Sequence, residues 1–307
     1  MDAAHLTRCE ELWFEDGTVV LRAEDTVFRV YRGMLCRQSS VFKDLFEVPQ
    51  PANGECYEGC PLVHMEATPA EDLRDILLAI HDVDWPESIT DNGVALAGLL
   101  ELSKKYDFPN VRQRVTKILL ATFPTTLAMY DALNAHHTVY TVPKRLISTI
   151  PELVALARVL PGTAPQFLPY TLWKLIRAPE TDWGFVFAGV EGRGGRVFLP
   201  PNLQRALVQG RIALSTASRT TVFPQLFAPT PTNLHCDWQR LRLLPAIMKP
   251  DGYLDPIVEQ PLDGLCEKCR EVLREEAKVG RAVVWNRLPD MFGLGSWDDL
   301  ARSGNEV

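Results

Sequence analysis

The residues best suited to chemistry in this chain are sulfur donors. Cys266 and Cys269 stand in "LCEKC", and His235 and Cys236 adjoin in "LHCDW" upstream. Two thiolates two residues apart can both reach one tetrahedral zinc ion, and a Cys or His from elsewhere can complete the shell. No second Cys-x-x-Cys occurs, so Cys236 and His235 would have to supply the remaining ligands, and neighbours in an extended chain point opposite ways. The other reading is two reduced cysteines opening the helix "EKCREVLREEAKVGR", whose charges mark a solvated face. The metal set to test is therefore Cys266, Cys269, Cys236 and His235 with zinc, and no organic cofactor is expected.

Other chemistries find no support. "GRGGR" at Gly192 to Arg196 lies in a Gly- and Pro-rich loop and lacks the Lys-Ser or Lys-Thr of a phosphate-cradling loop. Neither Gly-x-Ser-x-Gly nor HExxH occurs. "HDVD", His81 to Asp84, closes a helix, where His and Asp are ordinary end residues. His136 and His137 lack placed carboxylates. Cys56 and Cys60 flank a loop and read as spacers. No catalytic residue is expected, and the chain reads as a binding protein.

Bulk properties narrow the partners. The 307 residues exceed one ordinary core, so two packed units are expected. A composition 46% hydrophobic and 23% charged belongs to a globular protein. The net charge of -7 comes from the first 120 residues, and no basic stripe offers itself to nucleic acid. "MDAAHLTRCEELWFEDG" is acidic where a secretory signal would be basic and then apolar, and no run of 18 apolar residues occurs. Seven cysteines, an odd number, fit a reducing compartment, and cytoplasm or nucleus is expected.

The elements that must position these residues follow from period and punctuation. "LWFEDGTVVLRAEDTVFRVYR" reads as two strands joined as a hairpin at Glu24-Asp25, the first beginning at Leu12. From there the period turns helical: Leu35 and Ser39, then Phe42 and Phe46, lie four apart, with Leu45 on the side of Phe42 and Ser39 or Ser40 capping. Leu35, Phe42, Leu45 and Phe46 are assigned to the core. "EVPQPANGECYEGC" reads as a loop, and "PLVHM" as a third strand. "TPAEDLRDILLAIH" reads as a helix capped by Thr68, and helices follow at Val94–Tyr106 and Val111–Phe123, broken at Pro109. Beyond residue 124 the periods are helical, with Pro151 and Pro165 in first turns.

This order of elements, with Phe28, Leu35, Ser39 and Phe42 at their spacing in "FRVYRGMLCRQSSVFKDLF", resembles the BTB/POZ domain. "DGTVVL", "VPQP", "GCPLV" and "LLELSKKYDFPNVRQRV" are similar to its fungal, mushroom-type branch. So is "RAVVWNRLPDMFGLGSWDDL", whose Trp285, Leu288, Phe292, Leu294 and Trp297 would pack as a closing cap. Tyr31 stands where the family usually has His. The resemblance implies an α+β fold: a BTB/POZ domain over residues 12–123, a small sheet clad by helices, followed by an α-rich extension over 124–307. It also implies protein–protein association, either as a scaffold that binds itself or other proteins, or as a substrate adaptor for a cullin-type ubiquitin ligase; a zinc-stabilised structural module is the third reading. Dimerising members often swap a longer amino-terminal helix and strand. Only Met1 to Glu11 precede the first expected strand, so a face-packed dimer or a monomer is expected ahead of a swapped one. Neither nucleic acid nor a membrane is an expected partner.

Overall fold

The computed structural model describes residues 6–48, 54–82, 85, 87–136, 147, 149–177, 183–227, 236 and 265–305. These fall into two compact units. The first takes the chain to Thr122 and adds two later pieces, one ending at Ala164 and one spanning Ala188–Phe198. The second holds the described residues from Phe123 to His136, Pro165–Phe187 and those from Leu199 onward.

Five strands build the sheet of the first unit: β1 (Thr7–Trp13), β2 (Val19–Ala23), β3 (Thr26–Val30), β4 (Cys56–Tyr57) and β5 (Cys60–His64). Their order is β1-β3-β2-β5-β4. β2 and β3 form the expected antiparallel hairpin, Val19 opposite Val30 and Ala23 opposite Thr26. β1 runs parallel to β3, and β5 runs parallel to β2, so the sheet is mixed. The expectation that the first strand begins at Leu12 is corrected. Thr7 already pairs with Thr26, and exposed Arg8, Glu10 and Glu11 on this edge strand hide its β character from a hydrophobic count.

Val20 and Val27 project to one face of the sheet and pack with Cys60, covered by Leu6, Trp13, Tyr57 and Leu62. Cys60 is thus a core residue, its Sγ 3.3 Å from the Gly17 carbonyl, rather than a spacer. The sheet is clad by α1 (Arg32–Gln38), α2 (Ser40–Glu47), α3 (Ala70–His81), α4 (Glu87–Thr90), α5 (Gly93–Lys105) and α6 (Pro109–Leu120). Ser39 joins α1 to α2. Its hydroxyl accepts from the Phe42 N–H at 3.0 Å, the expected cap. Leu35, Phe42 and Phe46 are buried, but Leu45 is 40% exposed. On a helix only one side of the Phe42–Phe46 row can face the sheet, and Leu45 falls on the other.

Two further details depart from expectation. α3 begins at Ala70, and Thr68 does not cap it; Glu24 does, its carboxylate accepting from the Ala70 N–H at 3.0 Å. The Thr68 hydroxyl lies 2.8 Å from the Tyr106 hydroxyl instead. From the later chain, α8 (Ile150–Val159) starts with Pro151 in its first turn, as expected, and its Glu152 accepts from the Gly93 N–H at 3.2 Å. The Gly- and Pro-rich loop turns out to be a hairpin of β6 (Val190–Gly192) and β7 (Gly195–Val197).

The second unit is helical: α7 (Leu127–His136), α9 (Leu168–Ile176), α11 (Pro201–Ala217), α12 (Pro224–Phe227), α13 (Glu267–Asn286), α14 (Leu288–Met291) and α15 (Trp297–Asn305), with α10 (Phe185–Ala188) at its border. α13 buries Cys269, Leu273, Ala277, Gly280, Val284 and Trp285 along one side, so it is more than the solvated helix its charges announce. Gly280 lies so near the turn before α12 that a Cβ there would be 2.5 Å from Val222 Cα. Tyr130 of α7 meets Trp173 and Trp285 at 5.5 and 5.4 Å between ring centroids. Trp297 stacks on Trp285 and donates its indole N–H to the Trp285 carbonyl at 2.8 Å. Trp285, Leu288 and Phe292 are buried, and Leu294 and Trp297 half-buried, which makes the expected cap. Among the described residues no helix is long and apolar enough to cross a membrane.

The two faces of α2 set a first prediction. Phe42→Ala should lower the stability of the first unit by about 3–5 kcal/mol in urea unfolding, through lost transfer energy and a cavity. Leu45→Ala should change it by under about 1 kcal/mol. Equal losses would mean that the helix is rolled differently.

Candidate functional site

α2 presents a continuous apolar row outward. Ser39 holds its first turn and Arg32 its last, the guanidinium donating to the Phe46 carbonyl at 2.7 Å and lying 5.1 Å from the Phe46 ring. With Phe42 and Phe46 turned in, Val41 and Leu45 face solvent at i, i+4, and Val48 continues the row at the cap. Nearby, the Tyr31 hydroxyl donates to Asp16 at 2.6 Å, a hydrogen bond that raises the tyrosine's pKa. The residue at the family's usual His position therefore serves the strand-to-helix corner by a neutral hydroxyl.

A largely buried charge cluster joins the β6–β7 hairpin to α3. Arg193, at the tip of the β6–β7 hairpin, reaches α3: its Nη1 lies 3.0 Å from Asp72 and 2.5 Å from Asp75, and its Nε lies 3.0 Å from Glu71. The turn after it uses Gly194 and Gly195 at φ +72° and +121°, in the left-handed region. Gly98 of α5 makes the room, since a Cβ there would sit 2.2 Å from an Asp72 oxygen. Burial pushes the Asp72 carboxyl up to about 6, Arg193 pulls it back by hydrogen bond and charge, and Asp75 adds a smaller upward push. Sequence reading passed over this cluster. Its one signal was the pair Asp72 and Asp75, three apart on an otherwise apolar helix side.

The sulfur donors lie in the second unit. Cys236, Cys266 and Cys269 come together, every pair of sulfurs within 4.8 Å. The Cys266 N–H donates to Cys236 Sγ at 3.4 Å, and the Cys266 and Cys269 sulfurs are 3.3 Å apart. Cys266 occupies the N-cap position of α13 and is exposed, while Cys269 is fully buried. Hydrogen bonds from the Cys269 backbone and then its thiol lower the Cys266 pKa. Three of the four expected ligands are thus brought together, and His235 lies outside the described residues. His137 and Asp84 lie outside them too. His136 ends α7, and His81 stacks on Phe14 at 5.2 Å with its Nδ1 2.8 Å from the Leu77 carbonyl. Among the described residues, the metal-ligating group found is the three cysteines.

The charge cluster carries a pH-dependent prediction. The folded-state pKa of Asp72 is raised from 3.8 to about 6, so its contribution favours folding below about pH 3.8 and is lost as pH rises through 6. Arg193 offsets that loss. Arg193→Met should therefore destabilise the first unit by about 3–5 kcal/mol above pH 6, leaving buried carboxylates without their cation. The defect should shrink toward pH 4, as measured by urea unfolding across that range; a pH-independent defect would exclude this coupling.

Among known proteins, no curated protein and no solved structure matches the chain. One family model does, the BTB/POZ domain, over residues 10–122. That stretch encloses the five-stranded sheet, apart from Thr7 to Cys9 at the start of β1, and α1 to α6. Residues 10–122 are accordingly a BTB/POZ domain, a protein-interaction module, followed by a helical C-terminal region.

Proposed function

We propose that the chain is a protein-interaction scaffold that associates with a second copy of itself through the outer face of α2. One observation carries the reading: Val41, Leu45 and Val48 line that face at 40%, 40% and 61% exposure. Covering apolar surface contributes roughly 25 cal/mol per Å², so a row of this kind on an interaction domain favours a partner face of the same character. The sheet edges compete poorly. Arg8, Glu10 and Glu11 line β1, and β4 has two residues, both of which discourage strand addition. The function is binding rather than catalysis.

Finer placements rest on sequence resemblance. The mushroom-type fungal branch is supported by the Trp285 to Trp297 pattern that packs as a cap. Cytoplasm or nucleus is supported by the odd number of cysteines, seven, which suits a reducing compartment. The cullin-adaptor reading has no described residue in its favour and enters as an outcome of the test.

Light scattering on the full chain should give a mass that climbs from 34.5 kDa toward twice that value with concentration. The double variant Val41→Glu, Leu45→Glu should hold it at the monomer mass with an unchanged thermal midpoint. A monomer at every concentration, or a dimer untouched by the double variant, overturns self-association through α2. A cullin captured from a fungal extract by a monomeric wild-type chain would put the adaptor reading in its place.

A further inference from the structure

We propose that Cys236, Cys266 and Cys269 bind one thiophilic divalent cation of the zinc class, in a site independent of the α2 face. Zinc holds thiolates at about 2.3 Å in a tetrahedron, whose edges are then about 3.8 Å. The three sulfurs, 3.3 Å apart at the Cys266–Cys269 pair and all within 4.8 Å, bracket that edge, so a single ion reaches all three with small side-chain adjustments. The backbone is already committed. Cys269 is anchored in the core between Leu265 and Leu273 of the same helix region, all at most 5% exposed. Cys266 lies one turn away at the N-cap of a 20-residue helix and is open to solvent, which leaves a way in for the ion.

A disulfide explains the arrangement less well. It would join two of three clustered sulfurs, need about 2.05 Å where 3.3 Å is found, and leave Cys236 positioned for nothing. Soft thiolates select zinc-class ions over magnesium or calcium. On binding, each thiol gives up its proton: three S–H bonds break, three metal–sulfur bonds form and three protons leave to solvent, with no change of oxidation state. The fourth position is filled by water or another donor, and the described residues supply three.

Cobalt(II) titrated into the reduced full chain should give near-ultraviolet thiolate-to-cobalt bands whose intensity corresponds to three sulfurs, bleached by one equivalent of zinc. Cys266→Ser and Cys236→Ser should each weaken cobalt affinity by about tenfold or more. Cys266 is exposed, so its variant should keep the wild-type circular dichroism, and Cys56→Ser, far from the cluster in sequence and in the other unit, should keep wild-type affinity. Folded, reduced chain that gives no thiolate–cobalt band overturns the site, as does a band that survives Cys266→Ser unchanged.

Discussion

Ser39 is a small residue on which much of the first unit turns. Its backbone N–H closes α1 on the Leu35 carbonyl at 2.9 Å, and its hydroxyl opens α2 by accepting from Phe42. The same hydroxyl donates to the Tyr106 carbonyl at the end of α5. One side chain, 2% exposed, thus sets the angle between two helices and ties both to a third. Once that angle is set, Phe42 and Phe46 can only point inward, where Phe42 meets Tyr106 and Phe108 at 5.4 and 5.8 Å. Val41, Leu45 and Val48 are then left outside by geometry. Core packing and the proposed interaction face are two sides of the same constraint.

A second constraint is electrostatic. α3 turns two carboxylates, Asp72 and Asp75, into a dry region, where burial, and to a lesser degree the nearby Asp75, disfavours the charged form of Asp72. The interaction domain itself supplies Arg74, which pairs with Asp75 at 3.3 Å but stays largely at the surface with Glu11. The cation that reaches Asp72 comes from Arg193, 121 residues further on. The BTB/POZ stretch is therefore a recognisable unit whose buried charges are balanced by the region that follows it, which gives the β6–β7 hairpin a role the domain boundary alone would hide.

The second unit is organised by aromatic packing around Tyr130, Trp173 and Trp285, with α13 as its spine. The same helix carries Leu273 and Trp285 into that core and presents Cys266 and Cys269 at its start. A metal at the thiol cluster would hold the beginning of α13 to the chain at Cys236.

Periodicity, caps and turn residues are interactions between neighbours a few positions apart, and the sequence by itself determined what they govern: the β2–β3 hairpin, the cap at Ser39, α3, α5 and α6, the inward Phe42 and Phe46, and the closing aromatic cap. β1 escaped because an edge strand can carry charges, and the hairpin at Val190–Val197 because its glycines look like loop until a partner helix is present. Cys-x-x-Cys was visible as a local spacing. That Cys236 joins it across 30 residues, that Arg193 answers Asp72 across 121, and that Leu45 turns out rather than in were decided only by tertiary structure. Local rules fix which side chains share a face. Which face meets which neighbour depends on burial summed over the whole packed unit, and no short window of sequence contains that sum.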